Sequence, residues 1–293
     1  MITLILIKVL VSVATVIALS LIAEQVSPRI AGLLSGYPLG TAIALFFIGY
    51  EISPEFAAEG AVYTLAGFAS TLMLTTGYLF GSRELARHSA VQHKPNSDMG
   101  KDSAQESQAG WRAVIKASLA GIGLFLLSGL VIQQFSLTLI TAACLPALAI
   151  LACIWGYRHI PETQVGQRVK MSFSVLMFRA LVAAGIVLVI TGAAHVVPAA
   201  TAGVLAAFPI SMFPFLVLMH RSYGAAKAHT IIKHYPTGLG SLMVYATSVA
   251  CFYVSLGLLW GTLLAFALAT VYLLIAPPYV DKLRHWLIAR SPA

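Results

Sequence analysis

Five ionisable side chains sit inside or at the ends of long apolar runs: Lys8, Glu24, Glu59, Arg179 and His195. A charge within hydrocarbon costs about 3 kcal/mol or more unless it is paired or hydrated, so each is a candidate for function. Two arrangements suit them. In one, Lys8 and Arg179 attract an anionic substrate, and Glu24 and Glu59 are counter-ions that open as it enters. In the other, these four side chains lie near the headgroups, where long basic side chains snorkel. Glu24, Glu59 and His195 are also the groups through which coupling to protons would run.

Other polar motifs point to less chemistry. The segment HTIIKH, His229 to His234, places two histidines five apart on a basic turn. Helical zinc pairs sit four apart with a third ligand close by, and no carboxylate or Cys accompanies these. Contact of Lys227, Lys233 and the histidines with phosphate headgroups or anions suits the segment better. TGLGSL at Thr237 to Leu242 lacks the G-x-S-x-G of a serine nucleophile and has no His–Asp partnership. No Walker motif provides for ATP. Cys144, Cys153 and Cys251 fall in apolar runs without CxxC spacing. No catalytic residue, metal or other cofactor is expected.

Elements must hold these residues in place. The chain has 293 residues, 59% hydrophobic and 10% charged, with a mean hydropathy of +0.88. A soluble domain carries roughly 25% charged residues. Apolar runs of roughly 20 residues recur, long enough for about 30 Å of hydrocarbon. The fold class is therefore an all-α polytopic membrane protein. Nine transmembrane helices are expected, near 2–24, 30–50, 57–80, 113–133, 136–157, 171–194, 199–220, 236–257 and 259–277. The first has no basic n-region and no A-x-A site, so it reads as a retained helix. The interval 81–111, with HKPNSDMGKDSAQESQAG, reads as a flexible cytoplasmic loop.

Basic residues set the orientation. Arg29, Arg83, Arg87, Lys94, Lys101, Arg112, Arg158, Arg168, Lys170, Arg221, Lys227, Lys233, Lys282, Arg284 and Arg290 all follow odd-numbered spans. The even loops hold no Lys or Arg, and the first of them carries Glu51 and Glu55. The positive-inside rule then puts the N-terminus outside and the C-terminus in the cytoplasm. The net charge of +8 reflects this topology. Without an aromatic-interleaved patch it gives no nucleic-acid surface.

AGLLSGYPLG at Ala31 to Gly40 returns as AGVLAAFPIS at Ala202 to Ser211, an offset of 171 positions. At that offset Lys8 falls on Arg179, Glu24 on His195, Pro38 on Pro209, Gly67 on Gly238 and Ser70 on Ser241. The halves read as homologous. Residues 1–135 form a first four-helix repeat, 136–170 a linker helix and loop, 171–277 a second repeat, and 278–293 a cytoplasmic tail. Five spans separate equivalent positions, so a 4+1+4 inverted repeat is expected. Such inversion is common among secondary transporters.

Proline within a span removes a backbone donor and clashes with the preceding turn. In lipid the freed groups need other partners. Gly36 and Gly40 flank Pro38; Ala206, Ala207 and Ser211 take that place around Pro209, and Pro214 adds a second break. Interrupted helices in corresponding positions point to a midplane site. The substrate-binding candidates are Gly36, Tyr37, Pro38, Gly40, Phe208, Pro209, Ser211, Lys8 and Arg179. The ion-coupling or gating candidates are Glu24, Glu59 and His195. Tyr37 and Phe208 suit packing around the breaks better than stacking on a substrate.

The segment E-Q-V-S-P-R-I-A-G-L-L-S-G-Y-P-L-G, Glu24 to Gly40, resembles the small GlpM-like bacterial inner-membrane proteins. Those are roughly half-length chains with a similar S-P, G-L-L and P-L pattern. The resemblance covers about residues 10–80, with a fainter echo at 180–250, where Val197-Pro198 replaces Ser27-Pro28. It implies a fused tandem of such units in a bacterial inner membrane, loosely associated with envelope-polysaccharide production, and supplies no catalytic residues.

The function expected is secondary transport by alternating access of an anionic or amphiphilic solute. Membrane lipid and a small-molecule substrate are the partners, and a homodimer is compatible with the pattern. The competing expectation is a non-transporting membrane component of an envelope-polysaccharide assembly. The two differ between the breaks, where a transporter needs an enclosed cavity and an assembly component a solid core. An intramembrane enzyme is disfavoured, because no span clusters carboxylates or histidines.

Overall fold

Ser53-Pro54-Glu55 shows how this greasy chain is punctuated. The Ser53 hydroxyl accepts the amide of Phe56 at 3.1 Å, Pro54 takes the first helical position and Glu55 the first turn. All three choices favour a helix start. Thr138 does the same further on, in a reciprocal capping box with Thr141.

The computed structural model describes residues 2–25, 36–92, 102–161 and 173–289, with side chains at 2–18, 36–83, 110–161 and 176–275. Among the described residues there are nine α-helices and no strand. They are α1 (Ile2–Gln25), α2 (Leu39–Glu51), α3 (Pro54–Gln92), α4 (Asp102–Ile132), α5 (Leu139–Gly156), α6 (Phe173–Ala193), α7 (Ala199–Ala206), α8 (Met212–Tyr223) and α9 (Ala225–Ala289). A 3-10 turn, Tyr157–His159, follows α5. Four segments are long and apolar enough to cross a membrane: Gly110–Ile132, Leu139–His159, Leu176–Ala193 and Ala225–Ile275. Their outward faces carry exposed leucines and tryptophans such as Leu127, Leu148, Trp155 and Trp260. This is the surface of a membrane protein.

α9 is two helices. Gly257 lies between them at φ 75°, ψ 169°, a conformation glycine adopts without steric cost. The arms 225–256 and 258–289 fold back on each other, with Tyr253 bonded to Thr262 at 2.8 Å. Further along the same hairpin, Ser241 donates to the Ala269 carbonyl at 3.2 Å. α1 and α6 also run antiparallel. Lys8 meets Thr191, while Ser12 and Val16 share a small void with Ala183 and Val187.

α3 crosses α7 along a stripe of small residues, Gly60, Thr64, Gly67 and Thr71. A methyl group at Gly203 would collide with the backbone of Gly60, and one at Gly67 would come within 2.8 Å of the Ala207 methyl. Small residues permit this approach, and the threonines then bond across it. Thr64 Oγ1 donates to the Gly203 carbonyl at 2.8 Å. Thr71 Oγ1 donates to the Ala207 carbonyl at 2.6 Å.

Three expectations about local structure need correction. The interval 81–111 is helical at both ends, since α3 runs to Gln92 and α4 starts at Asp102; residues 93–101 lie outside the described residues. HTIIKH lies on a helix rather than a turn, because α9 begins at Ala225, where an apolar and threonine-rich face buries against α3. Pro214 makes no second break. It occupies the first turn of α8, where an amide has no partner within the helix and its absence costs nothing.

Candidate functional site

The two proline segments fold into the same turn. Leu39 N donates to the Tyr37 carbonyl and Ile210 N to the Phe208 carbonyl, each at 2.8 Å. Ala42 N then donates to Pro38 at 2.7 Å and Phe213 N to Pro209 at 2.8 Å. An i to i+2 bond followed by a helix start is what a chain does when proline denies it a continuous ladder. The second turn separates a span into two parts, α7 before it and α8 after it.

The turns face each other. Gly40 lies against Ile210, 2.7 Å from where a methyl group would sit, and Gly36 lies against the backbone of Gly238. The Gly36–Gly238 approach and the Gly67–Ala207 approach are the same contact with the 171-residue offset applied and the partners exchanged. Two small voids of about 10 Å³ each lie at the junction. One is bordered by Ser12 and Ser211, the other by Tyr37, Pro209 and Ser211. Each holds a water at most. The Ser12 hydroxyl is buried at the first void without a protein hydrogen-bond partner. Among the described residues the space between Pro38 and Pro209 is thus packed, with no solute-sized chamber.

The charged candidates are sorted by Glu51, which the sequence placed only as a loop acid. Lys8, 5% exposed, forms an ion pair with Glu51 and donates to Thr191 Oγ1 at 2.8 Å. His195 Nε2 lies 2.9 Å from the other Glu51 oxygen, and its side chain is 48% exposed. Lys8 and His195 therefore belong to one cluster, at the ends of α1, α2 and α6. Its charges are largely neutralised internally, as burial requires. The Lys8 ammonium also stands 5.7 Å from the Phe47 ring centroid. Glu59 is exposed on α3 and does not join them. The Glu24 side chain lies outside the described residues.

Arg179 is buried in the other arrangement. Its Nη2 donates to the Ser211 carbonyl at 3.2 Å, and its guanidinium lies 4.7 Å over the Phe215 ring. It braces the broken span just beyond the proline turn. Tyr37 bonds Thr270 at 2.9 Å and packs on Phe266. Phe208 packs edge-on against Phe125 and Phe213. Both aromatics are packing partners of the breaks.

At the far end of α3 the HTIIKH segment is spent on internal bonds. His229 Nε2 lies 2.7 Å from Ser82 Oγ, and Lys233 donates to the Ile160 carbonyl at 2.7 Å. His220 pairs with Tyr78 at 2.9 Å. Lys233 is buried, so the expected headgroup contact does not apply to it. Lys227 lies over the Tyr223 ring at 4.5 Å.

A wider cavity lies beside the junction. It measures about 540 Å³, opens laterally between α1, α2 and the arm 258–289, and is lined by residues such as Val11, Thr15, Ala42, Phe46, Tyr50 and Phe266. The sequence could not reveal it, because it needs the second arm of α9 brought against the first helix. Compared with family models, with curated proteins and with solved structures, the chain matches none of them.

Proposed function

We propose that this chain is a secondary transporter of a bacterial inner membrane, built as an inverted 4+1+4 repeat with its N-terminus outside and its C-terminus in the cytoplasm. The halves would be a fused tandem of GlpM-like units that exchange roles as access alternates. The observation that carries this reading is the matched pair of proline turns, with identical backbone bonds, meeting through exchanged small-residue contacts. Antiparallel packing of α1 on α6 suits an inverted relation. Because Lys8 is already paired with Glu51, an amphiphilic solute is favoured over a simple anion. The packed junction corresponds to an occluded conformation, which must open by separating α1 from α6 at one end or the other.

The test uses single cysteines at Ser12 and Ala183, in a background with the native cysteines replaced. The two positions are equivalent under the offset and border the same void. Alternating access predicts that each reacts with an impermeant thiol reagent from either face of a proteoliposome. A Lys8→Cys, Thr191→Cys cross-link should abolish reaction from that face alone. The second reading, a non-transporting component of a polysaccharide assembly, is favoured by the small volume between the breaks. It predicts that neither cysteine reacts from either face.

A further inference from the structure

We infer that the lateral groove between α1, α2 and the arm 258–289 is a binding site for one acyl chain of a phospholipid. This goes beyond transport: it requires only the groove, whether or not access alternates. Three observations carry it.

The first is length. Along α1 the groove is lined from Leu4 to Thr15, and along α2 from Leu39 to Tyr50. At 1.5 Å per residue each wall is about 16 Å long. That is half of the roughly 30 Å hydrocarbon core, one leaflet.

The second is how its two ends differ. Ile7 and Tyr50 at the outer end are chain neighbours of Lys8 and Glu51, so the groove begins beside the Lys8–Glu51–His195 cluster. Tyr50 is 62% exposed, in the position where tyrosines anchor at the membrane interface. The half-exposed His195 offers a polar partner to a phosphodiester headgroup. At the other end stand Thr15, Leu39 and Phe266, and Thr15 and Leu39 also border the void at the proline junction. Polar at the interface and apolar to the midplane is the profile of a lipid, head outward.

The third is access. Ile7, Val11 and Tyr50 line the groove and are themselves exposed on the outer surface of the protein. In a bilayer the medium at that surface is acyl chain. An acyl chain seated in the groove gains dispersion contacts from the apolar walls.

The experiment uses the full-length protein in phosphatidylcholine vesicles containing a phosphatidylcholine with a diazirine near the end of one acyl chain. After irradiation, adducts are mapped by mass spectrometry. The expected result is at least fivefold enrichment at Val11, Thr15 and Phe266 over exposed Leu126 and Leu148. It should also exceed labelling at the shallower face between α3 and α4, near Gly77 and Leu127. Val11→Trp, at a position with room for the larger ring, should reduce groove adducts to the level of the exposed leucines. Uniform labelling of the protein surface in the wild-type protein would overturn the inference without any variant. So would groove adducts that persist unchanged in Val11→Trp. The assay involves no gradient and no thiol chemistry, so its failure is distinct from failure of the transport reading.

Discussion

Tyr37-Pro38-Leu39 and Phe208-Pro209-Ile210 have the same backbone and different surroundings. Beyond the first turn comes Ala42, and the wall beside it is the open groove. Beyond the second turn the equivalent position is Phe213, whose ring packs on Phe208, while Phe208 in turn packs on Phe125. The turn is dictated by proline and its flanking small residues; whether a cavity adjoins it depends on one side-chain volume. A repeated backbone can thus carry two faces of different character, one bordering an open groove and one closed. The charged residues at equivalent positions diverge in the same way. Lys8 is held by a carboxylate, and Arg179 by a carbonyl and an aromatic face.

The largest effect should come from separating Lys8 from Glu51. Lys8→Ala leaves a buried carboxylate without its ammonium partner, and such a loss costs about 3 kcal/mol. A lowered melting temperature in detergent would register it, and adding Glu51→Gln should recover most of the loss. If the double variant is no more stable than Lys8→Ala, the pair is not what holds this end together.

Next comes the exchange of the two faces. Phe213→Ala removes a half-buried ring and should cost about 2 kcal/mol, while opening a second groove to lipid photolabelling. Ala42→Phe copies the second half into the first and should close the groove to the same probe. Similar labelling in both variants and the wild type would mean that this one position does not distinguish the faces.

A smaller effect separates the two threonines of α3. Thr71→Val should cost about 1 kcal/mol, a usual magnitude for such bonds in membranes, because it removes the donor to the Ala207 carbonyl at the break. Thr64→Val should cost less, since the Gly203 carbonyl also accepts the Ala207 amide at 3.2 Å. Equal losses would show that the break does not depend on Thr71. His195→Ala should be the mildest, under about 1 kcal/mol, because the side chain is half exposed and the Lys8–Glu51 pair survives it.

Much of this was legible in the amino-acid sequence. Hydrophobic run lengths yield the helix count, because a span must satisfy its own backbone in lipid. The proline motifs locate both breaks, since Pro38 and Pro209 leave the same donors missing. The cluster was only half legible. Lys8 and His195 stand out as ionisable residues in apolar runs, but Glu51 reads as a loop acid because it ends a helix rather than interrupting one. Pro214 misled for a related reason: a proline's effect depends on which turn of the helix it occupies, and the start of α8 is set by the break before it. The groove was invisible. Its walls come from residues 4–15, 39–50 and 262–266, and no local pattern announces that these segments stand apart rather than touch.

The lone Gly257 between the arms of α9 bears on how the chain enters a bilayer. One residue spans at most about 3.6 Å, so there is no slack with which the first arm could settle while the second waited in water. The arms 225–256 and 258–289 must be released from the insertion machinery as a hairpin. The bend itself is a single glycine, offering a protease or an antibody next to nothing to grip.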